Sequence, residues 1–122
     1  MATHKELIVW QKGIQLVKDV YQLTQSYPKE EVFGLTSQIR RCVVSIPSNI
    51  AEGCARRSDR ELIQFLYIAL GSAAELETQL IISKEISYLT DENFNRIDSQ
   101  NNEVIRLLSA LLNSIKNKPV NS

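Results

Sequence analysis

The feature that most restricts this chain is a heptad row near its centre. Leu62, Ala69, Leu76 and Ser83 fall seven residues apart and interleave with Leu66, Ala73, Leu80 and Ser87. Alternating steps of four and three keep residues on one face of an α-helix, and a strand period of two does not fit them. Ser58, three residues before Glu61, forms a capping box that opens this segment. Trp10, Ile14, Val17 and Tyr21 mark a first helix from about Lys5 to Ser26, ended by Pro28. That proline can sit in the first turn of the next helix, with Glu30 and Glu31 near its positive end. Leu35, Ile39, Cys42, Val43, Ile46 and Ile50 form the second apolar stripe, with Pro47 inside it and Gly53 a point where the segment loosens. Thr90, followed by Asp91 and Glu92, caps a fourth helix whose stripe is Phe94, Ile97, Asn101, Val104, Leu108, Leu111 and Ile115. The expected fold is all-α, an antiparallel up-down-up-down four-helix bundle over residues 5–117 with its second helix kinked at Pro47. Residues 1–4 are expected to form a short tail and residues 118–122 a disordered one.

Composition narrows the function. Lys plus Arg and Asp plus Glu both number 14, so bulk charge draws the chain to neither nucleic acid nor an acidic membrane. With 43% hydrophobic and 23% charged residues it is too apolar for a disordered protein. Gly (4) and Pro (3) are too few for the turns of a β-sandwich. No apolar run nears the roughly 18–20 residues of a membrane span, and the first residues lack the pattern of a signal peptide, so a cytoplasmic location without membrane contact is expected.

Cys42 and Cys54 are twelve positions apart in one helical segment. That is about 18 Å along a helix, against a limit of roughly 7 Å for a disulfide. Both are expected to be free thiols acting as small buried hydrophobes. His4 is the only histidine and stands among terminal residues expected to fray, which removes positioned-imidazole catalysis and multi-histidine zinc sites. There is no P-loop and no glutamate-to-histidine di-iron motif, and Glu75 and Glu77, two apart, diverge on a helix. The expectation is no enzyme, no metal and no cofactor.

Two faces exceed what a bundle core needs. A second row on the third helix comprises Phe65, Ser72, Gln79 and Ile86 with Ile68, Glu75 and Ile82 between them. A helix apolar on two sides needs two partners, so Phe65, Ile68, Ser72, Glu75, Gln79 and Ile82 are candidates for an oligomer interface. A wide core stripe is the competing reading. The second helix carries a polar stripe of Gln38, Arg41, Ser45, Ser48, Asn49, Glu52 and Arg56, whose short hydrogen-bonding arms suit contact with another polar surface. Arg40, Arg41, Arg56, Arg57 and Arg60 stand against only Glu52 and Asp59 between Leu35 and Arg60, a local excess of three positive charges. Arginine suits bidentate pairing, so this is either a phosphate-binding, nucleic-acid-facing patch or a set of Arg–Glu bridges.

The segment FGLTSQIRRCVVSIPSNIAEG resembles the signature of the bacterial four-helix-bundle proteins named for open reading frames in 23S rRNA intervening sequences, also labelled the S23 ribosomal protein family. VWQKGIQLVKDVYQLTQSYPKEE is similar to that family's first helix and FLYIALGSAAELETQL to its third, so the resemblance spans most of residues 5–115. It implies a homopentamer around a central channel. It also implies kinship with the accessory variability proteins of diversity-generating retroelements, which bind a reverse transcriptase and nucleic acid. The positions that match are Gln38, Arg40, Arg41, Ser45, Asn49, Glu52 and Gly53, with Gly71, Ser72, Glu75 and Leu76. Residues 86–89 read Ile-Ser-Tyr-Leu where family members often have Gly before Tyr, and the neutral charge differs from the basic retroelement proteins.

Two functions are therefore expected to compete. The leading one is a non-enzymatic homo-oligomer that binds RNA, DNA or a nucleic-acid enzyme such as a reverse transcriptase. The other is a structural oligomer or protein-interaction scaffold without nucleic acid.

Overall fold

The computed structural model describes residues 3–118. Four helices, α1 (Ile8–Thr24), α2 (Leu35–Cys54), α3 (Asp59–Glu85) and α4 (Asp91–Lys116), pack in a ring in which each touches its two neighbours. Contacts between helix ends establish the antiparallel order. Arg40 near the start of α2 reaches the Tyr21 carbonyl near the end of α1, Gly53 near the end of α2 abuts Phe65 near the start of α3, and Lys84 near the end of α3 faces Asp91 at the start of α4. Residues 1–2 and 119–122 of the expected tails lie outside the described residues.

The caps at α3 and α4 are those the sequence calls for. Ser58 Oγ accepts the Glu61 N–H at 3.2 Å, and Thr90 Oγ1 accepts the Asn93 N–H at 3.1 Å, each satisfying a donor that a helix start leaves unpaired. The first two helices begin later than expected. His4–Glu6 is a separate 3-10 turn, and Leu7 is extended (φ −75°, ψ 127°), so α1 starts at Ile8. Pro28 precedes a second 3-10 turn, Lys29–Glu31, and not the first turn of α2. Glu31 then caps α2 from outside: its Oε1 accepts the Leu35 N–H at 3.1 Å. A Cβ on Gly34 would lie 2.7 Å from that same oxygen, so a side chain there would push the capping carboxylate aside.

The core is aliphatic, with Leu16, Ile39, Ile46, Leu66, Leu80 and Leu108 fully buried. On α1 the buried row is Val9, Gly13, Leu16, Val20 and Leu23, one residue away from the expected stripe. Of that stripe Trp10 and Val17 flank the core, while Ile14 and Tyr21 face outward. Both rows have steps of four, three and four, and only the interhelical packing separates them. The Pro47 ring of α2 is buried opposite Gly13, where an added Cβ would meet it at 3.4 Å. Gly53 does not loosen α2. It is buried within the helix, and a Cβ there would lie 2.9 Å from the Phe65 Cβ.

By length and average hydropathy α3 meets the measure of a membrane-crossing helix, although its apolar residues form no unbroken run of that length. Glu75 and Glu77 lie at its middle, and one side is packed into the bundle. The helix ends in a hydrogen-bonded turn with the Tyr88 N–H on the Ser83 carbonyl at 2.8 Å. Ser87, expected in the core row, is exposed beyond the helix with φ 68°.

Candidate functional site

The polar stripe of α2 and the second row of α3 form the two walls of one groove. Gln38, Arg41, Cys42 and Ser45 from α2 and Ser72 and Glu75 from α3 line a cavity of about 320 Å³. Ser45 Oγ lies 2.7 Å from Ser72 Oγ and 2.6 Å from the Cys42 carbonyl, and the Cys42 thiol donates to the Ser72 carbonyl at 3.0 Å. Burial, with the nearby Glu75 carboxylate second, pushes the Cys42 thiol up to about 12. Cys42 is thus a neutral hydrogen-bonding group and no nucleophile. Asn49 donates to the Ser45 carbonyl at 2.7 Å, and Glu52 pairs with Arg56 at 3.3 Å. Gln38, Arg41 and Ser48 are exposed.

The expected interface residues divide by depth. Gln79 is buried and donates to Glu75 Oε2 at 3.1 Å, Phe65 is half-buried under the Arg56 guanidinium, and Ser72 closes the groove. Ile68, Ile82 and Ile86 are 50%, 44% and 47% exposed. Three isoleucines in that row therefore lie outside the bundle core, beside a groove of polar groups.

The five arginines do not form one patch. Arg40 turns toward α1, over the Tyr21 ring, while Arg41 lines the α2–α3 groove. Arg56 lies past the other end of α2, where Glu52 and Glu61 lie 3.3 and 4.0 Å from it. Arg57 and Arg60 are exposed, with no carboxylate of the described residues within 4.0 Å. The end of α4 adds two lysines that sequence reasoning overlooked. Lys118 meets Asp59 at 2.7 Å and Lys116 donates to the Tyr67 hydroxyl at 2.9 Å. Antiparallel topology was their signal, since α4 must return to where α3 begins.

The two thiols differ: Cys42 is buried, but Cys54, expected to be buried too, is exposed because it is the last residue of α2. His4 is not frayed; its ring packs edge-on against Trp10 at 5.1 Å. Among the described residues no group of three His, Cys, Asp or Glu side chains converges as a metal site.

Bundle order, capped central helices and a mixed polar–apolar α2–α3 face define a class of small all-α bundle proteins. Within that class, the chain belongs to the 23S rRNA-intervening sequence protein family, whose profile matches residues 5–110. It is similar to a crystallised protein of unknown function from the S23 ribosomal protein family of Bacteroides thetaiotaomicron. The two share 28% identity and superpose with a TM-score of 0.79 over 87% of this chain and 96% of that one. No curated protein is significantly similar to the chain.

Proposed function

We propose that this chain is a non-enzymatic, cytoplasmic homo-oligomer, of five copies as its family resemblance implies, that serves as a scaffold for other proteins. The copies meet through the α2–α3 face. The observation that carries this reading is the row of Ile68 and Ile82 on α3 and Ile86 at its end, each more than two-fifths exposed and in line with Ser72 and Glu75 of the groove. An apolar row rimmed by hydrogen-bonding groups is the usual make-up of a surface that another protein covers. Light scattering on the protein at micromolar concentration tests it, and a mass near the 13.9 kDa of one chain overturns it.

A second reading, binding of RNA or DNA, is favoured by Arg57 and Arg60, which have no acidic partner among the described residues. Pairing of Arg56 with Glu52 and Glu61, and of Asp59 with Lys118, weighs against it, because acidic groups already share that corner. Repetition around an oligomer would make even two arginines per copy act multivalently. Fluorescence anisotropy at about 50 mM salt, where phosphate contacts are stronger than at physiological salt, separates the readings. Binding that weakens steeply with salt supports nucleic acid, and its absence leaves the scaffold.

A further inference from the structure

Arg40 carries an uncompensated charge in a fixed position. Its guanidinium lies 4.6 Å from the Tyr21 ring centroid, its Nε–H donates to Thr24 Oγ1 at 2.9 Å, and Nη2 donates to the Tyr21 carbonyl at 3.2 Å. These contacts use two of the five N–H donors of a guanidinium and leave the rest without a named acceptor. No carboxylate of the described residues lies within 4.0 Å of it. The Tyr21 ring and solvent stabilise this partly exposed charge, and its remaining N–H groups are open to an added anion.

Arg40 lines a cavity of about 460 Å³ at the corner where α1 passes into α2. Lys29 lines the same cavity and also has no acidic partner among the described residues. Thr36, only 6% exposed, is a third lining residue, and its hydroxyl meets no hydrogen-bond partner. The cavity lies beside the first two turns of α2. Neighbouring Glu31 is already engaged by the Leu35 N–H and the Tyr88 hydroxyl, and Glu30 is exposed and not part of the lining. Pro28 and Val32 supply an apolar wall, and Phe33, next to Val32, is 95% exposed.

We propose that this corner binds a phosphate monoester of nucleotide size, its phosphate held by Arg40 and Lys29 and its remainder lying against Pro28 and Val32. The three remaining N–H groups of Arg40 and the three of Lys29 outnumber the roughly four lone-pair sites of a carboxylate and suit the oxygens of a tetrahedral anion. The volume exceeds the need of a bare anion and falls in the range of about 300–1,000 Å³ typical of small-molecule sites. The corner is separate from the α2–α3 face, so the inference goes beyond the oligomer reading and stands or falls without it.

Calorimetry on the full chain at constant ionic strength tests the site with adenosine monophosphate, adenosine, inorganic phosphate, and a single-stranded oligonucleotide with and without a terminal phosphate. Adenosine monophosphate binds and adenosine does not. Arg40→Gln weakens binding at least about tenfold, as expected for losing a charge-assisted contact. Lys29→Gln weakens it severalfold, and Arg106→Gln, on α4 and outside the cavity lining, leaves it unchanged. Because Arg40 also ties α2 to α1, Lys29→Gln keeps the test decisive if the Arg40 variant unfolds. Arg40-dependent binding of only the phosphorylated oligonucleotide assigns the ligand to a strand end, and binding of the mononucleotide assigns it to a free metabolite. Either supports the site. No binding of any phosphorylated probe at about 5 mM, where even a millimolar site is mostly filled, overturns it, as does binding indifferent to both substitutions.

Discussion

Ser45 on α2 and Ser72 on α3 meet hydroxyl to hydroxyl at 2.7 Å. Ser45 has one hydrogen, and its 2.6 Å approach to the Cys42 carbonyl uses it, so Ser72 is the donor between the two hydroxyls. The Cys42 thiol in turn donates to the Ser72 carbonyl. The three residues thus close a ring of hydrogen bonds across the helix pair, an arrangement in which each bond polarises the next. Ser45→Ala and Ser72→Ala should each cost about 1 kcal/mol, and the pair together should cost less than the sum. A double-mutant cycle by urea denaturation should return a coupling of about 0.5–1.5 kcal/mol. Strict additivity would show that the hydroxyls do not interact.

The turn after α3 holds a non-glycine residue where glycine is the natural choice. Ser87 has φ 68°, a region in which a side chain costs roughly 1–2 kcal/mol. It stays there because the Tyr88 N–H reaches the Ser83 carbonyl and the Ser87 N–H the Lys84 carbonyl at 3.0 Å. Ser87→Gly should therefore raise stability by about 0.5–1 kcal/mol, less than the full relief because glycine also gains freedom in the unfolded chain. Thermal melts of the two proteins measure this, and a lower melting temperature for the glycine variant would contradict it.

How much of this was legible in the sequence depended on how local the cause was. Ser58 and Thr90 cap helices through residues three positions away, and both caps were readable. The buried row of α1 was not, because Trp10–Ile14–Val17–Tyr21 and Val9–Gly13–Leu16–Val20 have the same spacing and only the neighbouring helices choose between them. The start of α2 was misplaced because its cap comes from Glu31, a residue outside the helix. At the candidate site, each wall of the groove was visible as a stripe on its own helix, but that they face each other depends on how α2 and α3 are rotated. The five arginines form one cluster only along the chain. Arg40 is drawn away by Tyr21 and Thr24, nineteen and sixteen positions earlier, and no helical projection contains that contact.

The two thiols should differ in chemistry. Cys54 is exposed, whereas Cys42 is buried, hydrogen-bonded and held near 12 against an ordinary 9.0. With a thiol reagent at pH 8, Cys54 should react and Cys42 should wait for unfolding, so Cys54→Ser removes the accessible reaction. A thiol in that variant labelled as fast as in denaturant would refute the assignment. The raised value also fixes a pH dependence. The fold holds the Cys42 proton more tightly than the unfolded chain does, so this contribution is intact below about pH 9 and drains away as pH rises toward 12. Cys42→Ala should flatten the alkaline limb of stability measured over that window.

Ile68 gives the sharpest test of the α2–α3 face, because it is half-exposed on a single chain and fully covered in the proposed assembly. Within one subunit a glutamate there would be solvated, and the change should alter folding stability by no more than about 0.5 kcal/mol, as for other surface substitutions. In a covered face the same carboxylate would lose its hydration without gaining a partner, at several kcal/mol per copy. Ile68→Glu should therefore leave the helical signal and its unfolding cooperativity intact while reducing the mass in light scattering to that of the single chain. Ile14→Glu is the control, since Ile14 is 44% exposed but lies on α1, away from the groove. It should leave the assembly whole. If Ile14→Glu dissociates the protein and Ile68→Glu does not, the copies meet on the α1 side of the bundle.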